Sequence, residues 1–315
     1  MTTYTTQSVT AADGLQVAAY TWLPESGRPR ALVQIAHGAA EHALRYDRFA
    51  CELTAHGYGV IASDHRGHGA TAVSTGGYGV TEVPGAEGDG ADSWRAIVGD
   101  LEAVGDRARA LFPDAPTVLL GHSMGSMLAR DYAQEYPDAL AGLILSGTFR
   151  TLPFVEIQGA LDRLDREIAE GGRAALSSFI PEAFASFNNP YPHRTGFEWL
   201  SRDEAEVDRY VADERCGFPF SAGLSRDWVH AIRKINDPAQ LARIPSDLPI
   251  HVAVGTEDPC NQSMTLVHDL LEDFRYVGVA DLTWKGYQGA RHEILNETNR
   301  AEVQADLLAW LDKQV

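Results

Sequence analysis

The sequence predicts an α/β protein: a mostly parallel central sheet flanked by helices, with a helical cap inserted between two of its strands. Three observations predict it. Short, continuously apolar runs alternate with helical patterns along most of the chain, as expected of strands covered on both faces. Residues 149–245 break that rhythm, with helical patterns, no convincing buried strand and twelve of the chain's 28 aromatic residues. The length of 315 residues, 44% hydrophobic and 22% charged, admits one large core with an insertion or two ordinary domains, and the aromatic insertion of 97 residues decides for the first.

The elements follow in order. Residues 15–23 (LQVAAYTWL) come after an Asp13-Gly14 turn signal and read as part of an N-terminal hairpin. Buried strands are expected at Ala31–Ala36, Gly59–Ala62, Val118–Leu120, Leu143–Leu145 and Ile250–Val254, and a further strand at Leu282–Tyr287. Helices are expected at Tyr46–His56, stopped by Gly57, at Ser93–Phe112, stopped by Pro113, and at Ser123–Tyr136, stopped by Pro137. Ser263–Phe274 and Asn299–Leu311 complete the set, the last with Val303, Leu307, Leu308 and Leu311 on one stripe. The division is residues 1–148 and 246–315 for the core and 149–245 for the cap. Rings from Phe149 and Phe154 to Trp228 populate the cap, and about a third of them are expected to face a pocket. Gly159, Gly171-Gly172 and Gly223 are candidate hinges.

Charge narrows the classes of function. With 26 Lys+Arg against 44 Asp+Glu the chain carries −18, a field that repels phosphate backbones and anionic lipid headgroups. No nucleic acid partner is expected. Only −3 of that charge falls in 149–245, so a near-neutral roof over an acidic body should admit uncharged or zwitterionic substrates and discourage anionic ones. No apolar run reaches the roughly 20 residues a membrane span needs, and the first residues lack a signal-peptide pattern, so a cytoplasmic protein without integral membrane association is expected. Cys51, Cys216 and Cys260 are too few and too scattered for a disulfide framework and read as reduced thiols.

The sharpest motif is Gly121-His122-Ser123-Met124-Gly125, a G-x-S-x-G between an apolar run and an amphipathic helical pattern. A serine on such a strand-to-helix turn presents its hydroxyl above the sheet at a helix N-terminus, where negative charge is favoured. A nucleophilic serine needs a base, and the base needs an orienting carboxylate. In chain order these should follow as acid, then histidine. The acid is Asp258, just past the strand at Ile250–Val254, with the adjacent Glu257 as the alternative. The base is His292, in the loop after Leu282–Tyr287; His268 falls in a helical pattern and reads as a surface histidine. An oxyanion hole needs two backbone donors. Met124 N–H follows the nucleophile, and Ala39 N–H lies in the loop His37-Gly38-Ala39-Ala40-Glu41-His42, where Gly38 allows a tight turn. His37, Gly38 and His122 are expected to brace this site or touch substrate.

Together HGAAEHALRYDRFACELTAHGYGVIASDHRGHGAT, GHSMG, GTEDP and ARHEILNE resemble the monoacylglycerol lipase and lysophospholipase branch of the α/β-hydrolase superfamily. FNNPYPHRTGFEWLSRDEAEVDRYVADERCGF is similar to the cap of bacterial members. The resemblance covers nearly the whole chain. It implies an α/β-hydrolase fold, the triad Ser123, Asp258 and His292, oxyanion donors Ala39 and Met124, a cap over an acyl pocket, and no cofactor. It also implies that Glu41 and Arg45 brace the oxyanion loop and border the alcohol end of the pocket, as an ion pair or as substrate contacts. Ala40 stands where the lipase-type stretch often has Gly. His65-Arg66-Gly67-His68-Gly69 has H-x-x-H spacing, but no Cys or paired carboxylate completes a zinc set, and the resemblance assigns it to a buttressing loop.

The expected function is therefore cleavage of small carboxylic esters, such as monoacylglycerols or lysophospholipids, through an acyl-enzyme. The same machinery serves proline iminopeptidases, C–C bond hydrolases and perhydrolases. A ligand-binding hydrolase fold without catalysis is disfavoured because all three triad residues are present. Dehalogenases and epoxide hydrolases are disfavoured because they carry Asp where Ser123 stands. The pattern does not distinguish a monomer from a homodimer.

Overall fold

The computed structural model describes residues 4–81, 92–150 and 154–315, with side chains in the last stretch from residue 157. Its strands and helices, in chain order, are β1 (Thr5–Thr10), β2 (Gln16–Trp22), β3 (Leu32–Ala36), α1 (Asp47–Ala55), β4 (Gly59–Ser63), α2 (Ala72–Thr75), α3 (Ser93–Leu111), β5 (Thr117–His122), α4 (Met124–Glu135) and β6 (Gly142–Ser146). Then come α5 (Phe154–Gly171), α6 (Phe179–Phe187), α7 (Glu204–Ala212), α8 (Ala222–Ile235), α9 (Pro238–Leu241), β7 (Ile250–Gly255), α10 (Thr265–Tyr276), β8 (Leu282–Tyr287) and α11 (Arg300–Gln314).

The eight strands form one sheet in the order β1-β2-β4-β3-β5-β6-β7-β8. β3 to β8 run parallel, while the β1–β2 hairpin adds antiparallel to β4. The hairpin predicted from Asp13-Gly14 is therefore the antiparallel edge of the sheet. Alternate residues of the central strands face two cores. Leu119, Leu143, Leu145, Val252 and Val254 pack with α3, α4 and α8 on one face. Val33, Ile35, Val60, Leu120 and Ile144 pack with α1 and α11 on the other. Each such fully buried side chain contributes about 1.5–3 kcal/mol relative to exposure. Gln34 is the polar exception in β3; its Nε2 donates to the Leu101 carbonyl at 2.8 Å. β8 differs from the other predicted strands. It is an edge, with Thr283 and Trp284 exposed.

The strand order reverses beside β3, whose neighbours are β4 and β5. Clefts in parallel sheets form at such a point, outside the carboxyl ends of the strands. The loops after β3, β5, β7 and β8 meet there. Between β6 and β7 the chain runs through α5 to α9 with, among the described residues, only an isolated bridge between Leu176 and Ser221. Gly159 lies inside α5, Gly171 ends it, and Gly223 is the second residue of α8, its N–H donating to the Arg173 carbonyl at 2.8 Å; Gly172, at φ +82°, follows α5.

Candidate active site

The turn after β5 is tight for reasons visible in its glycines. A Cβ on Gly121 would lie 2.3 Å from the Gly125 carbonyl oxygen, and a Cβ on Gly125 would lie 2.1 Å from that of Ala36. Ser123 itself sits at φ +53°, ψ −119°, a conformation that costs a residue with a side chain roughly 1–3 kcal/mol. The strain is held by a hydrogen bond from Ser123 N–H to the Ser146 carbonyl at 2.9 Å and by the helix that starts at Met124. The result is a half-buried hydroxyl at the N-terminus of α4.

His292 Nδ1 donates to Asp258 Oδ2 at 2.8 Å, and both side chains are buried. β7 and β8 deliver them to one place. Gly255, at the end of β7, lets the backbone of residues 290 and 291 come close; a Cβ there would lie 2.2 Å from both carbonyl oxygens. Asp258 also accepts from Cys260 N–H at 2.9 Å. Glu257 is exposed, and its backbone N–H donates to the Ala290 carbonyl at 2.9 Å, so of the two candidates Asp258 is the one that meets the imidazole. Burial alone would lower the His292 pKa, but the Asp258 charge and hydrogen bond outweigh it and hold the imidazole above its ordinary value of 6.5. Ser123 and His292 line the same cavity, with the Ser123–His292 hydrogen bond not formed; such bonds are often loose in ligand-free sites. His268 is exposed on α10.

The loop after β3 is pinned on every side. Gly38 N–H donates to Glu41 Oε1 at 2.5 Å, and Ala40 N–H donates to His68 Nε2 at 3.2 Å. Among the described residues, neither Ala39 N–H nor Met124 N–H donates to a protein acceptor. A Cβ on Gly38 would lie 3.3 Å from the Ser123 Cβ, so the loop presses directly on the serine. Ala40 holds a left-handed φ of +51°, which explains why glycine suits this position in the lipase-type stretch.

Glu41 and Arg45 form an ion pair that holds the loop. Arg45 Nη1 donates to Glu41 Oε2 at 2.6 Å, and Tyr46 OH donates to Glu41 Oε1 at 2.8 Å. Arg45 also reaches Glu293 through both nitrogens, at 2.5 and 2.7 Å. Glu41 faces the small cleft beside Ser123, whereas Arg45 lines neither that cleft nor the main cavity.

The histidines form a buried hydrogen-bonded stack. His37 Nδ1 donates to the Gly38 carbonyl at 2.8 Å, and its Nε2 accepts from His65 N–H at 3.0 Å. His65 Nε2 donates to the His37 carbonyl at 3.0 Å, and His68 Nδ1 to the Arg66 carbonyl at 2.8 Å. Burial pushes the His65 pKa down to about 3 and that of His68 to about 4, and holds His37 well below 6.5. His122 lies 4.9 Å from the His292 ring and is pushed to about 3 by burial and by that neighbour. The ring nitrogens of His37, His65 and His68 tie the loop after β3 to the loop after β4, while His122 Nδ1 meets Ser146 Oγ at 3.3 Å and lines the cleft beside Ser123. Two groups of potential metal ligands come together among the described residues, neither of them in this stack. One contains Asp258, Cys260 and His292. The other is His42, Asp213 and Cys216, where Arg215 already binds both Asp213 oxygens at 2.9 and 2.7 Å.

A cavity of about 400 Å³ opens at Ser123 and His292. Six rings of the insert line it, Phe149, Phe179, Phe184, Phe187, Trp199 and Trp228, half of the twelve rather than a third; the Phe154 side chain lies outside the described residues. Met127, Ile157, Ile180, Val229 and Ile232 add aliphatic surface, and Arg163 places a guanidinium-bearing side chain on the wall. Cys260 also lines it, its thiol kept protonated by burial and by the Asp258 charge.

Sequence reasoning missed Glu293, Trp199 and Tyr210. Trp199 packs 5.0 Å from the His292 ring, and its carbonyl accepts from His292 N–H at 3.4 Å. Tyr210 OH donates to the Ala40 carbonyl at 3.0 Å. The one local signal was the acidic residue directly after His292.

Comparison with known proteins matches the same chain. A family model described as serine aminopeptidase, S33, matches residues 27–299. Monoglyceride lipase of Rattus norvegicus is 35% identical over 310 residues, covering 96% of this chain and 89% of that one. Monoacylglycerol lipase of Mycolicibacterium smegmatis is 28% identical over 308 residues, covering 96% and 95%. Among solved structures, a thermostable carboxyl esterase from Bacillus coagulans in complex with glycerol superposes with a TM-score of 0.88 at 28% identity, covering 100% and 99%.

Proposed function

We propose, from the premise that this chain belongs to the serine aminopeptidase S33 family of α/β-hydrolases and to its monoacylglycerol lipase-like branch, that it hydrolyses carboxylic esters through an acyl-enzyme on Ser123. One observation carries the reading: Ser123 and an Asp258-paired His292 open together onto an apolar cavity of about 400 Å³. Residues 149–245 act as the cap that roofs this cavity.

In this mechanism Ser123 Oγ attacks the acyl carbonyl carbon while His292 Nε2 takes its proton. Asp258 fixes the Nδ1–H tautomer and stabilises the imidazolium. The carbonyl oxygen becomes an oxyanion held by the Ala39 and Met124 N–H groups, and the positive end of α4 favours the charge. The tetrahedral intermediate collapses, the C–O bond to the alcohol breaks, and His292 returns the proton to the departing oxygen. Water, deprotonated by His292, then releases the acid and regenerates Ser123.

The substrate class follows from the lining. A cavity walled by six rings and several aliphatic side chains takes an acyl chain, and monoacylglycerols are the first choice because rat and mycobacterial relatives bear that name. The small cleft beside Ser123, bordered by Glu41, Glu293 and Tyr210, faces the alcohol side. The experiment is labelling with a fluorophosphonate followed by peptide mapping, alongside a panel of monoacylglycerols, lysophosphatidylcholines and aminoacyl amides. Label on Ser123 with turnover of the esters supports the reading. Label elsewhere, or turnover of the amides alone, overturns it.

A further inference from the structure

The insert does more than roof the cavity. Its segment from Tyr210 to Gly217 reaches back across the loop after β3 and binds the Ala40 carbonyl oxygen twice. Tyr210 OH donates to the Ala40 carbonyl oxygen at 3.0 Å, and Gly217 N–H donates to the same oxygen at 2.9 Å. Gly217 adopts φ +71° to do so. Tyr210 and Ala40 are buried while Gly217 is exposed, and the Arg45 guanidinium lies over the Tyr210 ring, 4.9 Å from its centroid. A third tie joins His42 Nε2 to Asp213 Oδ2 at 3.0 Å.

Ala40 is the residue of this loop that needs holding. Its φ of +51° is one that an alanine leaves when it is free to do so. Its N–H is bound by His68 and its carbonyl by the two insert donors. With Gly38 N–H bound by Glu41, the N–H left over between them belongs to Ala39.

We propose that Tyr210 is a positioning residue for the oxyanion hole: its hydroxyl, with Gly217 N–H, clamps the Ala40 carbonyl and thereby aims Ala39 N–H at the substrate's carbonyl oxygen. The clamp belongs to the insert and the donor to the sheet loop. The hole is therefore complete only while the segment 210–217 is seated. This inference rests on the acyl-enzyme reading above.

Tyr210→Phe tests it, because it removes the hydroxyl and keeps the ring. The measurements are steady-state kinetics on a p-nitrophenyl ester, inhibition by a trifluoromethyl ketone and binding of an uncleavable ether of the same chain. The ketone forms an oxyanion adduct; the ether does not. The expected result is a kcat five- to tenfold lower with KM within twofold, a ketone affinity weakened by the same factor, and ether affinity within twofold. Hydrogen exchange of peptides spanning 37–46 should rise in the variant. An unchanged kcat, an equal loss of ketone and ether binding, or unchanged exchange in that loop overturns the proposal. Ser123→Ala measured in parallel separates the two readings. If it stays active the acyl-enzyme reading falls, whereas an inactive Ser123→Ala beside a fully active Tyr210→Phe sinks the clamp alone.

Discussion

Arg45 grips Glu293 through its two terminal guanidinium nitrogens, Nη1 at 2.5 Å and Nη2 at 2.7 Å, joining the loop after β3 to the residue next to His292. The two are 248 positions apart in sequence, and both are nearly buried. Glu293→Gln leaves Arg45 with Glu41 as its one carboxylate. Breaking one arm of a buried, still partly paired charge is expected to cost about 2 kcal/mol. Urea unfolding should show it as a lower midpoint with an unchanged slope, and an unmoved midpoint would contradict the bracing role.

In the proposed mechanism the imidazole of His292 acts as a base, which requires its neutral form. Its pKa lies above 6.5 because the nearby Asp258 charge outweighs the effect of burial. As pH rises, kcat/KM should therefore climb along a limb centred above 6.5. Asp258→Asn removes the charge, so that limb should move to lower pH, and kcat should fall roughly 10⁴-fold from the wrong tautomer. A pH–rate profile of the variant superimposing on wild type would sink the Asp258 assignment.

The buried histidines make the fold acid-sensitive. His65, His68 and His122 stay neutral in the folded chain down to about 3, 4 and 3, against 6.5 when unfolded. Their folded pKa values are depressed, so below pH 6.5 the unfolded chain binds more protons than the folded one. Stability is fully present above that pH and is lost as pH falls, by on the order of 1 kcal/mol per histidine per unit. Thermal melts should show Tm dropping between pH 7 and pH 5, and His65→Gln should flatten the drop. A Tm constant over that range would show that these rings are not held neutral.

Gly159 lines the main cavity from within α5, and a Cβ there would meet nothing within 4 Å. Gly159→Leu should raise helix propensity, worth about 0.5–1 kcal/mol, and fill part of the cavity. Activity on long-chain p-nitrophenyl esters should fall while that on butyrate persists. Unchanged chain-length preference would mean that the acyl chain does not occupy this cavity.

The legible part of this molecule was the part governed by local rules. β3, β5, β6 and β7 are buried on both faces, so their apolar runs announce them, and Ser123 announces itself through glycines that two backbones need. That Asp258 and His292 come together follows from chain order and strand ends, because each stands just past a neighbouring parallel strand. The bracing network was not. Glu293 meets Arg45, and Tyr210 meets the Ala40 carbonyl 170 positions away, through contacts that no spacing rule encodes.

The central claim is that Ser123 forms the acyl-enzyme. The most direct measurement is pre-steady-state hydrolysis of a p-nitrophenyl ester by wild type and Ser123→Ala. The expected result is a burst of up to one p-nitrophenolate per wild-type chain, no burst in the variant, and a kcat at least roughly 10⁴-fold lower. Ser123→Ala turning over the ester at the wild-type rate would contradict it.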